Sequence, residues 1–327
     1  MAIATGMARP TEAIVRTGLA GRVPIHSCYG EILWAELDWL ILEVSSTNEL
    51  RSSGKPKLLC NRLPMMTSLN RSISESTSPL AQAPARVLVV LCTYNEIDNL
   101  PKMFTLIREH MPSADILVVD DSSPDGTSQW VEEEADRLLA SGEANRIHLL
   151  LRPGKLGLGT ALRDGIQWCL DQGEYDFLVN LDADVSHHPR YAVPMLQQAV
   201  ESDKDVVVGT RYRQGGQSPG LPWHRKIISR CLNAYALRLL RLPISDCSGS
   251  YRCYRTSKLK ELTLSKLRCP GYGFLEEILV ALRNKDAAFG EVPIVFDCRY
   301  AGESKLSFSD ALGAIKTIHR LALAPQS

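Results

Sequence analysis

The chain has 327 residues, of which 45% are hydrophobic, so it can build a sizeable core in one large or two ordinary domains. Its 37 basic residues balance its 37 acidic residues, and no overall field would draw it to nucleic acid or to an anionic membrane. The 9 cysteines are odd in number and show no C-x-x-C spacing, which disfavours zinc and redox sites and indicates reduced thiols.

The first 84 residues differ in composition from the rest of the chain. Ser, Thr, Asn, Arg and Pro dominate residues 45–84, which is typical of a segment without a packed core. Only residues 32–44 have the pattern of a short amphipathic helix or membrane-surface anchor. Alternatively, translation starts at Met65 or Met66. We expect residues 1–84 to be a disordered extension and residues 85–327 to form the folded domain.

From Arg86 onward, short β-branched runs alternate with helical stretches. This rhythm implies parallel strands joined by right-handed crossovers, and therefore an α/β fold with an open, mostly parallel sheet and helices on both faces. The predicted strands are 87–91, 116–120, 147–151, 177–182 and 206–209, with helices at 99–110, 128–139, 158–170 and 191–200. Further helices are predicted at 225–240, 274–283 and 308–323, with an extended piece at 291–297.

Each predicted strand ends in a polar or glycine-bearing segment. Ligands of open α/β sheets lie outside the carboxyl ends of the strands, so these segments should hold the chemistry. They are residues 92–96, 120–126, 152–159, 182–184 and 209–212.

Asp182 and Asp184 form a D-x-D motif at the end of an apolar strand. Two neighbouring carboxylates repel each other unless a cation lies between them. Mg²⁺ or Mn²⁺ would suit these oxygen ligands and would take its remaining ligands from water and substrate phosphates. A cap on the helix near Pro189 would explain one aspartate but not both.

Two other strand ends suggest contacts with a nucleotide. Asp120 and Asp121 would accept hydrogen bonds from a base or ribose, although such a doublet is often merely solvated. Tyr94 and Glu96 would add an aromatic face and another acceptor.

Lys155 stands among glycines at the start of a predicted helix, where a phosphate would be favoured. The spacing is not that of a P-loop, and no G-x-G-x-x-G follows the first strand, which disfavours ATP hydrolysis and dinucleotide redox chemistry. In the second half, Arg211 and Lys305 lie in loops near glycine, whereas Arg230 and Arg238 are typical of a solvated helix face.

These motifs, in this order, resemble the dolichol-phosphate mannosyltransferases of glycosyltransferase family 2, which have the GT-A fold. The likeness runs from about residue 86 to about residue 323 and includes T-Y-N-E (93–96), D-D-S-S-P-D-G-T (120–127), G-K-L-G-L-G-T-A (154–161), D-A-D-V-S-H-H-P (182–189), G-T-R-Y (209–212), R-K-I-I-S-R (225–230) and G-E-S-K-L (302–306). The resemblance implies a GDP-mannose donor, a dolichyl or other polyprenyl phosphate acceptor, and inversion at the anomeric carbon.

The resemblance also implies roles for individual residues. Asp182, Asp184 and Arg211 would be catalytic, and the first two would hold Mg²⁺ or Mn²⁺ with Ser186 as a third or water-mediated ligand. The donor would contact Cys92, Tyr94, Glu96, Val119, Asp121, Lys155 and Ala183 along with the two metal-binding aspartates. The phosphates and the acceptor would be gripped by Arg211, Arg225, Ser229, Arg299 and Lys305.

Two features depart from the family pattern. Cys92 stands where the family usually has proline, and residues 1–84 have no counterpart. The chain also lacks the membrane helices of some relatives, which implies anchoring by small partner subunits or surface helices at the cytoplasmic face of a membrane: the endoplasmic reticulum in a eukaryote, the plasma membrane in a bacterium. Residues 223–240 and 308–323 would meet that surface, or would simply pack on the sheet.

The chemistry expected of this family needs no general base. A phosphate monoester has a second pKa near about 6 and is largely dianionic at neutral pH. Two other functions remain open from the sequence: a polyprenyl-phosphate glucosyltransferase using UDP-glucose, and a nucleotide-sugar-binding scaffold that has lost catalysis.

Overall fold

The structure, a computed structural model, describes residues 85–142, 146–297 and 308–323, with side chains from residue 315 onward in the last range. The expected extension, with its segment at 32–44, lies outside these residues. So do Arg299 and Lys305, two of the expected phosphate-binding residues.

A mixed sheet of seven strands forms the centre of the domain, in the order β3-β2-β1-β4-β6-β5-β7. All neighbouring strands are parallel except where β6 pairs with β4 and β5. The prediction of an open, mostly parallel sheet is confirmed. The strands are β1 Val87–Thr93, β2 Asp115–Asp120, β3 Ile147–Leu151, β4 Phe177–Asn180, β5 Val206–Thr210, β6 Arg252–Arg255 and β7 Phe289–Pro293.

Helices cover both faces of the sheet, which is why the central strands read as continuous apolar runs rather than as alternating patterns. They are α1 Leu100–His110, α2 Thr127–Ser141, α3 Leu158–Gln172, α4 Ala192–Glu201, α5 Trp223–Leu240, α6 Thr256–Leu259, α7 Phe274–Arg283 and α8 Phe308–Leu323, with 3₁₀ turns at Pro189–Tyr191 and Leu264–Lys266. None of the described helices is both long and apolar enough to cross a bilayer.

The core has two layers because successive side chains of a strand point to opposite faces. Leu88 and Val90 of β1 belong to one cluster, with side chains of α3, α5, α7 and α8. Val89 and Leu91 belong to the other, with side chains of α1, α2 and α4. The sheet is thereby held rigidly, and its strand ends are fixed relative to each other.

Strand β6 was not predicted. Its sequence is Arg-Cys-Tyr-Arg, which has neither an apolar run nor a clean alternation. Arg252 is nevertheless fully buried, because its guanidinium donates to the main-chain oxygens of Cys247, Gly249 and Leu275. A buried arginine that is stabilised by hydrogen bonds to carbonyl groups leaves no signal in a hydropathy pattern.

Candidate active site

The ends of β2, β1 and β4 lie side by side, because these strands are neighbours in the sheet. The first link between them is Asp120, which is fully buried. Its carboxylate accepts hydrogen bonds from Thr93 Oγ1 at 2.7 Å and from Ser123 N and Oγ at 2.8 and 2.6 Å. Asp120 therefore joins the ends of β1 and β2, while its neighbour Asp121 contacts the segment that follows β3.

Asp121 holds the segment that follows β3. Its Oδ1 accepts from Arg152 Nη1 at 2.5 Å, and its Oδ2 accepts from the backbone N–H groups of Leu156 and Gly157, each at 3.1 Å. Both members of the Asp121–Arg152 ion pair are buried, with side-chain exposures of 7% and 4%. Arg152 also donates to Thr160 Oγ1 at 2.6 Å. Arg152 was not among the residues expected from the sequence.

Lys155, in the same segment, lies over Tyr94 of the first strand end, with its Nζ 4.0 Å from the ring centroid. A cation at this distance from an aromatic face is attracted to it. Two residues expected on the donor side are thus brought together. Glu96 lies nearby in sequence and accepts a hydrogen bond from Asn99 Nδ2 at 2.6 Å.

The glycines after Lys155 approach the protein's own backbone. A Cβ on Gly159 would lie 2.5 Å from the oxygens of Cys269 and Gly271, and one on Gly157 would lie 2.6 Å from the oxygen of Pro270. The N–H of Gly159 donates to Pro270 O at 3.0 Å. The glycine spacing that suggested a phosphate contact thus serves, in this structure, to seat α3 against residues 269–271.

Asp182 follows the end of β4 and is the more open of the two D-x-D carboxylates, with 34% of its side chain exposed. Its Oδ1 accepts from Ser250 Oγ at 2.5 Å. Its backbone N–H donates to Nδ1 of the buried His187 at 3.2 Å. Burial lowers the pKa of His187, although the charges of Asp182 and Asp184 act against this, and a neutral ring accepts the Asp182 N–H.

Asp184 is buried, 4% exposed, and its Oδ1 accepts from Ser186 N at 3.0 Å and from Ser186 Oγ at 2.5 Å. Val185, between them, has a positive φ of 65°, so the backbone turns sharply at this point. The Ser186 hydroxyl is fully buried and directed at the carboxylate. In this structure Ser186 orients Asp184.

Among the described residues, no group of three or more His, Cys, Asp or Glu side chains could hold a metal ion by itself. The chemistry of the two carboxylates still fits Mg²⁺ or Mn²⁺, because these hard cations accept few protein ligands and complete their shell with water and substrate phosphates. Asp182 accepts a hydrogen bond from Ser250, and about one third of its side chain is exposed, so it is suited to direct contact with such an ion.

Arg211 follows β5 and is clamped by Asp246, a fully buried residue that the sequence reading did not identify. Arg211 Nε and Nη2 donate to Asp246 Oδ2 and Oδ1 at 2.8 and 2.9 Å, and Nη2 also donates to Ser248 Oγ at 2.7 Å. Burial acts to lower the pKa of Arg211, but the charges of Asp246 and Asp182 outweigh it and raise that pKa. The charge of Arg211 therefore interacts with that of Asp182 in the D-x-D motif.

A cavity of about 220 Å³ opens between Arg211 and the first turns of α5. Tyr212 crosses it, with its hydroxyl 2.7 Å from Ser229 Oγ. Ser229 thus lies where an acceptor-binding residue was expected, whereas the exposed Arg225 is not part of the lining. The lining residues are Arg211, Tyr212, Gly216, Gln217, Ser218, Pro219, Leu221, Lys226, Ser229 and Arg230.

Cys92, at the end of β1, sits among these charged groups. Burial raises the pKa of its thiol, Arg152 opposes the rise, and the charges of Asp121 and Asp182 add to it. The thiol is therefore neutral and packs between two acidic strand ends. Val119, which is paired with Cys92 in the sheet, is buried in the core cluster that Cys92 packs against, whereas Ala183 is buried in the other cluster.

The acidic groups at the ends of β2 and β4 and the basic cavity beside β5 lie at the carboxyl ends of parallel strands, where open α/β sheets bind their ligands. The glycosyl transferase family 2 model matches residues 88–263. The chain belongs to glycosyltransferase family 2, as its motifs indicated, and it is a glycosyltransferase.

Two curated relatives match most of the domain. An undecaprenyl-phosphate mannosyltransferase of Micrococcus luteus is 38% identical over 239 residues, which is 73% of this chain and 95% of the relative. A polyprenol monophosphomannose synthase of Mycolicibacterium smegmatis is 39% identical over 225 residues, which is 69% of this chain and 82% of the relative.

Among solved structures, the fold is similar to that of glucosyl-3-phosphoglycerate synthase from Mycobacterium tuberculosis. The complex with phosphoglyceric acid has a TM-score of 0.52 at 18% identity and covers 74% of this chain and 82% of that one. The complex with Mn²⁺, UDP and glucosyl-3-phosphoglycerate has a TM-score of 0.50 at 20% identity, with the same coverage. The expected GT-A fold is confirmed.

Proposed function

We propose that residues 85–327 form a catalytic domain that transfers mannose from GDP-mannose to the phosphate of dolichol or another polyprenol, with inversion. The names of the two curated relatives support the sugar and the lipid class. The observation that carries the proposal is the cavity that joins Arg211 to Lys226, Ser229 and Arg230, because it gathers cationic and hydroxyl donors around Arg211, which interacts electrostatically with Asp182. Such a cavity suits a phosphate monoester.

The acceptor side of the reaction requires positioning rather than proton removal. At neutral pH the lipid phosphate is already largely a dianion, since its second pKa is about 6. Lys226 and Arg230 attract the dianion, and Arg211 and Ser229 donate hydrogen bonds that fix its orientation. One phosphate oxygen then attacks the anomeric carbon from the face opposite the departing GDP, which inverts that centre.

On the donor side, the guanine nucleotide lies across the ends of β1, β2 and β4. Tyr94 and Lys155 cover one side, and Asp121 fixes the intervening turn. Asp182 and Asp184 would hold Mg²⁺ or Mn²⁺, and the bound ion would neutralise charge on the diphosphate leaving group. Arg299 and Lys305 lie outside the described residues, and the family resemblance alone supports their proposed contact with the same phosphates.

The lipid acceptor requires the enzyme to work at a bilayer, and we place it at the cytoplasmic face of a membrane, either alone or with small anchoring subunits. The first turns of α5 support this, because Trp223, Ile227 and Ile228 are 75%, 42% and 56% exposed. From residue 211 to residue 241 the sequence holds several Arg and Lys residues and no acidic residue. An apolar helix face with basic neighbours is typical of a membrane-surface helix.

This surface is tested by sedimentation with vesicles of phosphatidylglycerol and phosphatidylcholine. We expect Trp223→Ser to weaken binding several-fold. Leu139→Ser, at a residue 81% exposed on α2, is the matched control and should bind as the wild type does. Equal vesicle binding by the wild type and both variants would show that Trp223 of α5 does not contribute to membrane binding.

The transfer reaction is tested with radiolabelled GDP-mannose, with UDP-glucose as the competing donor, and with polyprenyl phosphate or the unphosphorylated polyprenol as acceptor. We expect lipid-phase label only from GDP-mannose with the phosphorylated lipid, dependent on Mg²⁺ or Mn²⁺ and abolished by EDTA. Label from UDP-glucose would replace mannose by glucose. Binding of GDP-mannose without any transfer would instead indicate a scaffold and refute the proposal.

The metal site is tested separately from turnover. Asp184→Asn should lower Mn²⁺ binding in the presence of GDP at least about tenfold, measured by electron paramagnetic resonance, because a neutral amide is a poor ligand for a hard cation. Asp171→Asn, at an exposed residue of α3, should bind Mn²⁺ as the wild type does. Unchanged binding in Asp184→Asn would exclude this carboxylate as a metal ligand.

A further inference from the structure

Asp246 is a fully buried carboxylate in the loop between α5 and β6, and its contacts converge on Arg211. In addition to the two guanidinium contacts, Asp246 Oδ2 accepts from the backbone N–H of Arg211 at 3.2 Å. Its Oδ1 accepts from the N–H groups of Ser248 and Gly249, each at 3.3 Å. The carboxylate thus holds both the main chain and the side chain of Arg211.

This pairing leaves one end of the guanidinium for a ligand. Nε and Nη2 donate to Asp246, and Nη2 also donates to Ser248. Within the described part of the chain, Nη1 makes no hydrogen bond, and Arg211 lines the basic cavity. The rings of Tyr212 and Phe296 lie 5.2 and 5.6 Å from the guanidinium carbon and restrict its movement.

The same loop also connects Arg211 to the opposite wall of the cavity. Asn233 of α5 donates to Ser245 O at 2.7 Å and accepts from the N–H of Cys247 at 3.0 Å. Asn233 lies one helical turn after Ser229, a lining residue. Residues 245–248 therefore fix the position of Arg211 relative to the helix that completes the cavity.

We propose that Asp246 is a positioning residue for the acceptor phosphate: it clamps Arg211 through Nε and Nη2 so that Nη1 remains available to bind that phosphate. The proposal rests on the proposed function of the cavity. A bidentate arginine–carboxylate pair fixes the orientation of the guanidinium, which a single hydrogen bond does not do. It also cancels much of the charge of Arg211, so Lys226 and Arg230 supply most of the attraction and Arg211 supplies the geometry.

The carboxylate is ionised when it acts in this way. Burial acts to raise the pKa of Asp246, but the charge and hydrogen bonds of Arg211 outweigh burial and lower that pKa. The interaction is therefore present throughout the neutral range and does not itself act as a pH switch.

The test uses Asp246→Asn, which keeps the size of the side chain but removes its charge and one acceptor atom. Calorimetry with farnesyl phosphate, a short polyprenyl phosphate, should show binding weakened about tenfold or more, the effect of losing one hydrogen bond to a charged group. The affinity for GDP-mannose should change less than about twofold, since an acceptor-side clamp leaves the donor side intact. Asp205→Asn is the matched control, because Asp205 pairs with Arg255 and lies just before the first residue of β5, whereas Arg211 follows the last. It should alter neither affinity.

A double variant separates positioning from a general structural role. If Asp246 acts through Arg211, adding Asp246→Asn to Arg211→Met should leave farnesyl phosphate binding unchanged. It should also raise the unfolding temperature above that of Arg211→Met, because the buried carboxylate is no longer unpaired. A further loss of binding in the double variant, or equal weakening of both ligands in Asp246→Asn, would overturn the proposal.

The outcomes also distinguish this inference from the proposed function. Wild-type protein that binds farnesyl phosphate but transfers no mannose would refute the reaction and leave the clamp to be judged by binding alone. Wild-type protein that does not bind farnesyl phosphate, or that binds it no better than farnesol, would overturn the clamp proposal.

Discussion

Gly159, in the first turn of α3, has no room for an added methyl group. Alanine at this position places Cβ 2.5 Å from the backbone oxygens of Cys269 and Gly271 and 2.7 Å from Cβ of Phe274. These contacts are far inside van der Waals distance, and two of the three partners are main-chain atoms. Relief therefore requires α3 to move away from residues 269–271.

Two effects of opposite sign determine the result of Gly159→Ala. Alanine favours a helix over glycine by about 1 kcal/mol. Overpacking in a well-packed interior costs about 1–3 kcal/mol, and the backbone contacts here place Gly159 at or above the upper end of that range. We expect a net loss of about 2 kcal/mol, which lowers the unfolding temperature by roughly 4–8 °C in a domain of this size.

The assay is thermal unfolding followed by circular dichroism, together with the KM for GDP-mannose, the proposed donor. KM should rise, because the turn before Gly159 supplies the N–H groups that bind Asp121. Gly154→Ala is the matched control: it has no atom within 4 Å of the added Cβ and should unfold near the wild-type temperature. If Gly159→Ala is as stable as the wild type, helix propensity outweighs the contacts and the steric argument is refuted.

Two further substitutions test buried charges. Arg152→Met leaves the carboxylate of Asp121 buried without its ion-pair partner and should lower the free energy of unfolding in urea by about 3–5 kcal/mol. Adding Asp121→Asn should recover part of that loss, and no recovery would contradict the ion-pair argument. Burial raises the pKa of Glu276 from 4.5 to about 7 against the opposing charge of Arg252. The folded state therefore keeps a proton that the unfolded state has lost, so wild-type stability falls as pH rises from about 4.5 to about 7. Glu276→Gln lacks this loss and should be more stable than the wild type above pH 7, by up to about 3 kcal/mol. If the difference in unfolding free energy between the two proteins is the same at pH 4 and at pH 8, the shift is refuted.

The sheet was predictable because its parallel strands are buried on both faces and read as apolar runs between turn residues. Strand β4 shows how far such a pattern reaches: the predicted strand runs to residue 182, but the strand ends at Asn180. Nothing in the run itself marks the point at which the chain leaves the sheet. The antiparallel β6 was missed because its stability comes from a buried arginine bonded to carbonyl groups rather than from apolar side chains.

The site shows the same division. Strand-end motifs predicted Asp121, Asp182 and Arg211 as site residues because functional side chains of such sheets cluster at those ends. Their partners could not be read from the sequence, because Arg152, Asp246 and Ser250 lie 31, 35 and 68 residues away from them along the chain. Those pairings depend on which loops the sheet order brings together.

The partners also change what each charged residue offers a substrate. Asp121 is occupied by Arg152, and Arg211 by Asp246, so neither contributes a free charge. The less committed charges are the carboxylate of Asp182 on one side and the ammonium and guanidinium groups of Lys226 and Arg230 on the other. An oriented pair needs no rearrangement when charge develops in the transition state, which is the condition under which electrostatic catalysis is most effective. The buried pairs therefore supply orientation. Lys226 and Arg230 would attract the proposed anionic acceptor, whereas Asp182 would attract a diphosphate only through a bound Mg²⁺ or Mn²⁺.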